Sequence, residues 1–203
     1  MIVGTVDINT GNYVTFNEKS ADIADMPRRV VSSASIPFVF PHQLIDNMTL
    51  MDGGTVWNMN MVSAIERCRE QVDDDSQITV DVISCARDFK SNNSHSANSI
   101  GNWLQYRAIK SYNSGMRNVY ETQLAYPKVN YRYFFQASAP LTSGIEELAF
   151  GPEVLGPMVE LGKKDAATVV GLGEGALFEK LSQWVMKKDK KESVPHLETF
   201  LYQ

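Results

Sequence analysis

Apolar residues alternate with small or polar ones from Ile2 to Ile8, and the alternation resumes at residues 13–16 after a polar stretch. Alternation with a period of two is typical of a half-buried strand. The stretch between the two runs, Asn9-Thr10-Gly11-Asn12, has the composition of a turn. The pattern therefore predicts a β-hairpin at the start of the chain.

Shorter patterns follow the hairpin and predict helices and a strand. Residues 22–25 are predicted as a short helix that Pro27 ends. The small residues at 32–35 suit a helix whose backbone packs closely against a sheet. The apolar pair at 50–51 indicates a short buried strand that ends at Asp52.

The rest of the chain alternates between helical and strand patterns. Residues 78–85 are rich in β-branched side chains and are predicted as an inner strand of a parallel sheet, buried on both faces. The glycine-rich stretch 171–176 is interpreted as a helix break, because too little chain follows it to form a nucleotide-binding βαβ unit. A late strand is predicted at 128–136, and helices are predicted at 61–69, 100–126, 151–163 and 177–186.

For two segments the sequence allows contact with a membrane surface as an alternative to a purely structural role. In the predicted helix 100–126 an apolar stripe is interpreted as core packing, with a lipid-facing flap as the alternative; it consists of Trp103, Leu104, Tyr106, Ile109 and Tyr112. The basic run 187–191 is interpreted as a solvated helix end that complements the helix dipole. Contact of this run with anionic lipid headgroups is its alternative.

Composition narrows the class of protein. A chain of 203 residues with 43% hydrophobic and 21% charged residues suits one globular domain. Its net charge of -5 argues against a nucleic-acid partner, since phosphates require clustered Lys and Arg. No stretch approaches the roughly 18 apolar residues of a spanning helix, and the expected location is the cytoplasm or a peripheral membrane surface. Cys68 and Cys85 are predicted to be free and buried.

The candidate functional site is Asp52-Gly53-Gly54. A carboxylate that ends an apolar run is expected at a strand end facing a cleft, and the glycines let the backbone turn where a side chain would clash. The plainer interpretation is an Asx turn or a helix cap. Asn58 is interpreted either as a residue that orients the loop by hydrogen bonding or as a helix N-cap.

The order of motifs around Asp52 resembles that of the patatin-like lipid acyl hydrolases. The matching features are the small-residue segment 32–35, Ile36-Pro37, Phe40-Pro41, Asp52-Gly53-Gly54 and Asn58. The opening hairpin is also similar to the one that precedes this segment in the family. The resemblance covers residues 1–65. It departs from the family pattern at Phe38, where a glycine is common, and at Met59, where a proline is common.

The resemblance implies an α/β fold, namely a three-layer patatin-like sandwich with a mainly parallel central sheet that is incomplete at its N-terminal side. Residues 1–203 would form a single domain, the C-terminal portion of a patatin-like domain. The sheet and the Asp loop would lie in 1–90, and the helical and C-terminal part in 91–203. The resemblance also implies a serine hydrolase with a Ser-Asp dyad, in which Asp52 is the partner of the nucleophile.

The nucleophile itself is not expected in this chain. No Gly-x-Ser-x-Gly elbow occurs in the 203 residues, and the serines within 32–35 lack that context. The expected partners are a lipid or ester substrate and a second chain or missing N-terminal segment that carries the serine; no cofactor or metal is implied. The expected activity is phospholipase A-type ester hydrolysis. The alternative is a catalytically inactive patatin-fold protein that acts as a binding or structural subunit.

Overall fold

The computed structural model describes residues 1–37, 39–84, 99–139, 141, 151–195 and 197–202. The chain is a mixed α/β protein that divides into two compact units, Met1–Asp73 and Asp74–Gln203. Each unit has a sheet of its own. None of the helices in the described ranges combines the length and the apolar character that crossing a membrane requires.

The first unit is built on a four-stranded antiparallel sheet with the spatial order β2-β1-β4-β3. Its strands are β1 (Ile2–Asp7), β2 (Tyr13–Asn17), β3 (Gln43–Ile45) and β4 (Met48–Asp52). The predicted hairpin of β1 and β2 is confirmed. The hairpin of β3 and β4 was not predicted. Its two turn residues, Asp46 and Asn47, both have positive φ, as a two-residue type I′ turn requires.

The first helix, α1 (Met26–Ser33), begins where the sequence pattern placed a helix end. The helix predicted at 22–25 is wrong, because these residues form turns. Pro27 instead lies in the first turn of α1, where its fixed φ suits the helix and its missing N–H has no partner to lose. The predicted close packing of the small-residue segment is confirmed at Ser32, which is fully buried.

A buried arginine ties α1 to the second hairpin. Arg29 is 5% exposed, and its guanidinium lies 4.9 Å from the centre of the Phe16 ring. Its Nη2 donates a hydrogen bond of 2.9 Å to Asp46 Oδ2 in the turn between β3 and β4. Phe16 belongs to the core cluster of the sheet together with Ile45 and Leu50. Arg29 therefore joins the helix, the turn and the core.

The neighbouring arginines of α1 provide a matched test of this role. Replacing Arg29 with Ala removes the buried side chain, its contact with Phe16 and its ion pair. We therefore expect the free energy of unfolding to fall by about 2 kcal/mol. Arg28 is exposed and reaches only the Leu44 carbonyl. We expect Arg28→Ala to change the free energy of unfolding by about 0.5 kcal/mol or less. Urea denaturation measures both; equal effects would contradict the role of Arg29.

Two helices follow β4 and lie against β1, namely α2 (Gly54–Trp57) and α3 (Met61–Arg69). The helix predicted at 61–69 is confirmed. Cys68, predicted to be buried, is exposed, because the buried residues of α3 are confined to its first half, at Met61 and Ile65. Cys85 lies outside the described residues.

In the part of the second unit that the structure describes, there are a parallel pair of strands and four helices. A 3-10 turn, Asp75–Gln77, precedes β5 (Thr79–Ser84), which pairs in parallel with β6 (Asn130–Gln136). Both predicted strands are confirmed. The helices are α4 (Ser99–Ala125), α5 (Pro152–Leu172), α6 (Ala176–Asp189) and α7 (Leu197–Tyr202).

The sheets differ from the mainly parallel central sheet that was expected. Within the described residues the larger sheet is antiparallel, and parallel pairing is confined to β5 and β6. The strand β5 was predicted to be buried on both faces, yet Thr79, Asp81 and Ile83 are exposed, Ile83 to 75%. The helices of this unit therefore cover only one face of β5 in the described part of the chain.

The helices of the second unit run further than their patterns indicated. The predicted helix at 151–163 continues through Gly162 to Leu172, because one glycine within a helix costs only about 1 kcal/mol. The break at 171–176 is confirmed by Gly173 and Gly175, which have φ of 93° and 77°. The amphipathic segment that follows is α6, as predicted.

The apolar stripe of α4 divides into a buried and an exposed part. Tyr112 is buried, as core packing requires. Trp103, Tyr106 and Ile109 are 45%, 59% and 37% exposed, so core packing is the wrong interpretation for these three side chains. The side chain of Leu104 lies outside the described residues.

Candidate functional site

Asp52 is the last residue of β4, and its backbone is held on both sides. It pairs with Thr5 of β1 in the antiparallel register. Its N–H donates to the carbonyl of Ser35, just beyond the end of α1, at 3.1 Å. The strand end predicted for Asp52 is confirmed, and the residue lies between β1 and the segment that follows α1.

Gly53 is required by a close approach of two backbone segments. A Cβ at this position would lie 2.4 Å from the carbonyl oxygen of Gly4 and 3.0 Å from the nitrogen of Thr5. Its φ of -64° and ψ of -27° are accessible to any residue, so conformation does not demand glycine here. The glycine is needed because β1 passes where a side chain would be.

Gly54 places its amide on the carboxylate. Its N–H donates a hydrogen bond of 2.7 Å to Asp52 Oδ1, which is the geometry of an Asx turn. The plainer interpretation of the motif is therefore correct as a description of local structure. A Cβ at Gly54 would lie 3.1 Å from Asp52 Oδ1 and 2.6 Å from Asn58 Oδ1, so both oxygens border this glycine.

The Asp52 carboxyl is half-buried, and burial raises its pKa above the ordinary value. The hydrogen bond from the Gly54 amide acts in the opposite direction, because it stabilises the ionised form. Burial is the larger of the two effects. A carboxylate with a raised pKa is a stronger base than an exposed aspartate, which suits it to accept a proton from a hydroxyl.

Asn58 does not cap the following helix. It lies at the C-terminal end of α2, with helical φ and ψ of -72° and -30°. The N-cap of α3 is Asn60, whose Oδ1 accepts a 3.0 Å hydrogen bond from the N–H of Ser63. The Oδ1 of Asn58 borders Gly54, and the role of a residue that orients the loop by hydrogen bonding stays a prediction.

Tyr13 belongs to the same site and was missed at the level of sequence. Its hydroxyl lies over Gly4, where a Cβ would be 1.9 Å from the phenol oxygen. The hydroxyl donates to the Trp57 carbonyl at 3.4 Å, and the two rings are 5.8 Å apart. A glycine within a strand marks a close approach of another group, so Gly4 was the available indication.

The environment of Tyr13 links it electrostatically to Asp52. Burial raises the pKa of the Tyr13 phenol, a hydrogen bond with Asn60 lowers it, and the negative charge of Asp52 raises it further. The negative charge of the Asp52 carboxylate therefore disfavours ionisation of the Tyr13 phenol. Tyr13 therefore lies near Asp52, and its phenol is hydrogen-bonded to Asn60 and to the Trp57 carbonyl at the end of α2.

The serines upstream of Asp52 are engaged with the backbone. Ser32 Oγ donates to the Arg29 carbonyl at 2.7 Å, and Ser35 Oγ donates to the Val31 carbonyl at 2.8 Å. Both are bonds of a helical turn. Within the described residues the Asp52 carboxylate accepts its hydrogen bond from Gly54, and neither hydroxyl is paired with it. The described residues bring neither of these hydroxyls to Asp52; a serine hydroxyl that does bind an aspartate is that of Ser138 in the second unit, which donates to Oδ1 of the buried Asp165 at 2.6 Å.

The described residues also hold no group of three His, Cys, Asp or Glu side chains placed to bind a metal ion. No protein-family model matches the chain, and no curated protein matches it.

The close approach at Gly53 predicts the effect of adding one methyl group. We expect Gly53→Ala to destabilise the protein by about 1–3 kcal/mol, because neither β1 nor β4 can move freely within the sheet. The control is Gly162→Ala in α5, where a Cβ would have nothing within 4 Å. We expect that variant to be more stable by about 0.5–1 kcal/mol. Thermal and urea unfolding distinguish the two, and a neutral Gly53→Ala would contradict the close approach.

The raised pKa of Asp52 predicts a pH-dependent contribution to stability. A folded-state pKa above the ordinary 3.8 means that Asp52 favours folding below that pH, and that this contribution is lost as the pH rises through the folded-state value. Asp52→Asn cannot ionise. We therefore expect it to be more stable than the parent protein at pH 7 and to lose this advantage at about pH 3.

Urea titrations at the two pH values measure this difference, with Asp22→Asn, at an exposed turn position, as the control. A carbon-13 titration of the Asp52 carboxyl gives the pKa directly. A stability difference for Asp52→Asn that is the same at both pH values would show that burial of the charge is not the cause.

Proposed function

We propose that this chain is part of a patatin-like serine lipid acyl hydrolase and supplies Asp52 as the base of its Ser-Asp dyad. The observation that carries the proposal is the half-buried carboxyl of Asp52, held at a strand end by the Gly54 amide with its pKa raised by burial. The order of motifs in residues 32–58 supports it as well. The nucleophilic serine is supplied by a segment or chain that lies outside these residues.

The proposed reaction is phospholipase A-type hydrolysis of a lipid or simple ester. The ionised Asp52 accepts the proton of the serine hydroxyl while the serine oxygen attacks the acyl carbonyl. Asp52 then returns this proton to the alcohol that leaves, and the serine is left acylated. In the second half of the reaction water attacks the acyl-serine and gives a proton to Asp52. Asp52 passes this proton to the serine oxygen as the bond between that oxygen and the acyl carbon breaks, which releases the fatty acid and restores both the free serine and the ionised Asp52.

The proposal extends to the fold. A three-layer sandwich with a mainly parallel sheet requires more parallel strands than β5 and β6, and these are supplied by the same absent segment. The uncovered face of β5, with Ile83 75% exposed, is compatible with further layers on this strand. In this proposal residues 1–203 are the C-terminal portion of a single domain, located in the cytoplasm or at a membrane surface.

The exposed face of α1 supports the requirement for an additional segment or partner chain. The helix buries Arg29 and Ser32, while Val30 and Val31 are 44% and 53% exposed. The apolar exposure continues in Ile36 beyond the helix. Because the buried side of the helix also holds Met26, the helix has apolar residues on both sides, which is typical of a layer that is covered on both sides.

One observation favours the alternative function, a catalytically inactive patatin-fold protein that acts as a binding or structural subunit. The carboxylate of Asp52 already completes an Asx turn with Gly54, and the hydroxyls of Ser32 and Ser35 are bonded to carbonyls. In that case Asp52 is needed for the turn alone.

The two functions are distinguished by a fluorophosphonate probe, which labels activated serines. The natural protein is isolated, its intact mass and N-terminal sequence are determined, and it is incubated with the probe. We expect a longer chain or a bound companion with a Gly-x-Ser-x-Gly elbow, and labelling at that serine. Asp52→Asn should slow labelling at least about 100-fold, because general-base catalysis is lost.

The control for this experiment is Asp22→Asn, an equal change of charge at an exposed turn position. It should label at the rate of the parent protein. A natural protein that lacks the elbow and is never labelled would contradict the hydrolase and leave the structural subunit. Labelling that does not depend on Asp52 would exclude Asp52 as the base.

A further inference from the structure

The first half of α4 carries aromatic and cationic side chains on one face: Trp103, Tyr106, Arg107 and Lys110. Their spacings of three, four and seven residues place them on the same side of the helix. The buried side chains of α4 lie on the opposite side: Tyr112, Met116 and Val119. The aromatic residues are therefore directed away from the core of the second unit.

The exposure of these aromatic residues is large. Trp103 is 45% and Tyr106 is 59% exposed. The guanidinium of Arg107 lies 5.1 Å from the centre of the Trp103 indole, so a cation is placed directly beside the larger ring. Lys110 is exposed one turn further along the helix.

The charge of this region is opposite to that of the whole chain. Residues 89–120 contain no Asp or Glu, although the chain has a net charge of -5. Within α4 the same stretch contributes three cations: Arg107, Lys110 and Arg117. The basic character is therefore concentrated where the aromatic side chains are exposed.

The basic end of α6 lies on the same side of α4. Lys188 donates a hydrogen bond to the side chain of Asn113, and Arg117 Nη1 lies 3.2 Å from Asp189 Oδ2. Asn113 follows Tyr106 by seven positions and Arg117 follows Lys110 by seven, so both residues continue the exposed face. The lysines at and just after this end are exposed as well, namely Lys187, Lys190 and Lys191, with the ammonium of Lys187 5.2 Å from the centre of the Phe200 ring in α7.

We propose that this aromatic-basic face, formed by Trp103, Tyr106, Arg107 and Lys110 of α4 with the lysines at 187–191 of α6, docks the protein on a bilayer that contains anionic phospholipid. Trp and Tyr are the residues that favour the headgroup level of a membrane. Neighbouring Lys and Arg are attracted by the negative surface potential of anionic lipid. The surface lies wholly within the second unit, and the proposal does not rest on the function assigned to Asp52.

The combination of aromatic and basic groups favours a lipid surface over a protein partner. Trp, Tyr and Arg are also enriched in protein interfaces, so the feature that favours lipid is the cluster of cations in a stretch without Asp or Glu, which matches a uniformly negative surface. A purely apolar partner would give no reason for the cations to cluster in a region that has no carboxylates. Lipid headgroups satisfy both features, since their phosphates meet the cations and their acyl boundary accepts the rings.

The test is flotation of the whole 203-residue chain with vesicles of two compositions. One kind contains phosphatidylcholine alone, and the other contains phosphatidylcholine with phosphatidylserine. We expect the chain to float with the anionic vesicles, with a partition coefficient that falls as salt is added, and to remain unbound with the neutral ones.

Two double variants separate the contributions of charge and ring. Arg107→Gln with Lys110→Gln should lower the partition coefficient at least about tenfold, because two attractive charges are removed. Trp103→Ser with Tyr106→Ser should also lower it, and this loss should remain when the salt concentration is changed. The matched control is Lys163→Gln with Lys164→Gln on α5, two exposed lysines outside the face, which should bind as the parent chain does. Circular dichroism verifies that each variant is folded.

The proposal is overturned by the following results. One such result would be that the parent chain does not float with anionic vesicles, or that it floats equally with neutral ones. Another would be that the variant with Arg107→Gln and Lys110→Gln binds as well as the parent chain, or that the control variant on α5 loses as much binding as this variant does. Sedimentation equilibrium gives a dimer for the parent chain and a monomer for the Trp103→Ser, Tyr106→Ser variant, which would mean that a second copy occupies the face.

Discussion

The backbone of β1 passes so close to the start of the Asp52 loop that only glycine fits between them. Gly4 and Gly53 share this approach, and each is covered on the side where a Cβ would point: Gly53 by the carbonyl of Gly4, and Gly4 by the phenol of Tyr13. Two segments that are remote in sequence are thereby fixed against each other. The position of the carboxyl follows from this approach, because β4 and α2 continue from either side of Gly53. The chemistry proposed for Asp52 depends on it.

Two opposing effects determine the pKa of Asp52, namely burial and one hydrogen bond. Burial disfavours the ionised carboxyl, whereas the Gly54 amide favours it, and the first effect is larger. The same amide completes an Asx turn, so one geometry serves a structural role and suits the catalytic role that we propose. A turn alone has no need of a raised pKa, but a general base profits from one. The two roles are compatible, and the presence of an activated serine decides whether the second is used.

Local patterns predicted most elements of the fold, whereas the site depends on contacts that no local pattern contains. The opening hairpin, the parallel strands β5 and β6 and the long helix α4 follow from periodicity over several residues. The strand β3 was missed because three residues are too few to show alternation. The role of Tyr13 depends on where its ring crosses Gly4, which is a contact between strands. In α4, periodicity located the apolar stripe but did not reveal which part of it is covered.

The role proposed for Asp52 is to activate a serine that lies outside these 203 residues. It is tested most directly by the crystal structure of the natural protein after reaction with a phosphonate ester. The account predicts a phosphonylated serine in a strand-to-helix elbow, with its Oγ within about 3.2 Å of an Asp52 carboxylate oxygen. An adduct on a serine remote from Asp52, or an Asp52 carboxyl that still contacts only the Gly54 amide, would contradict the account.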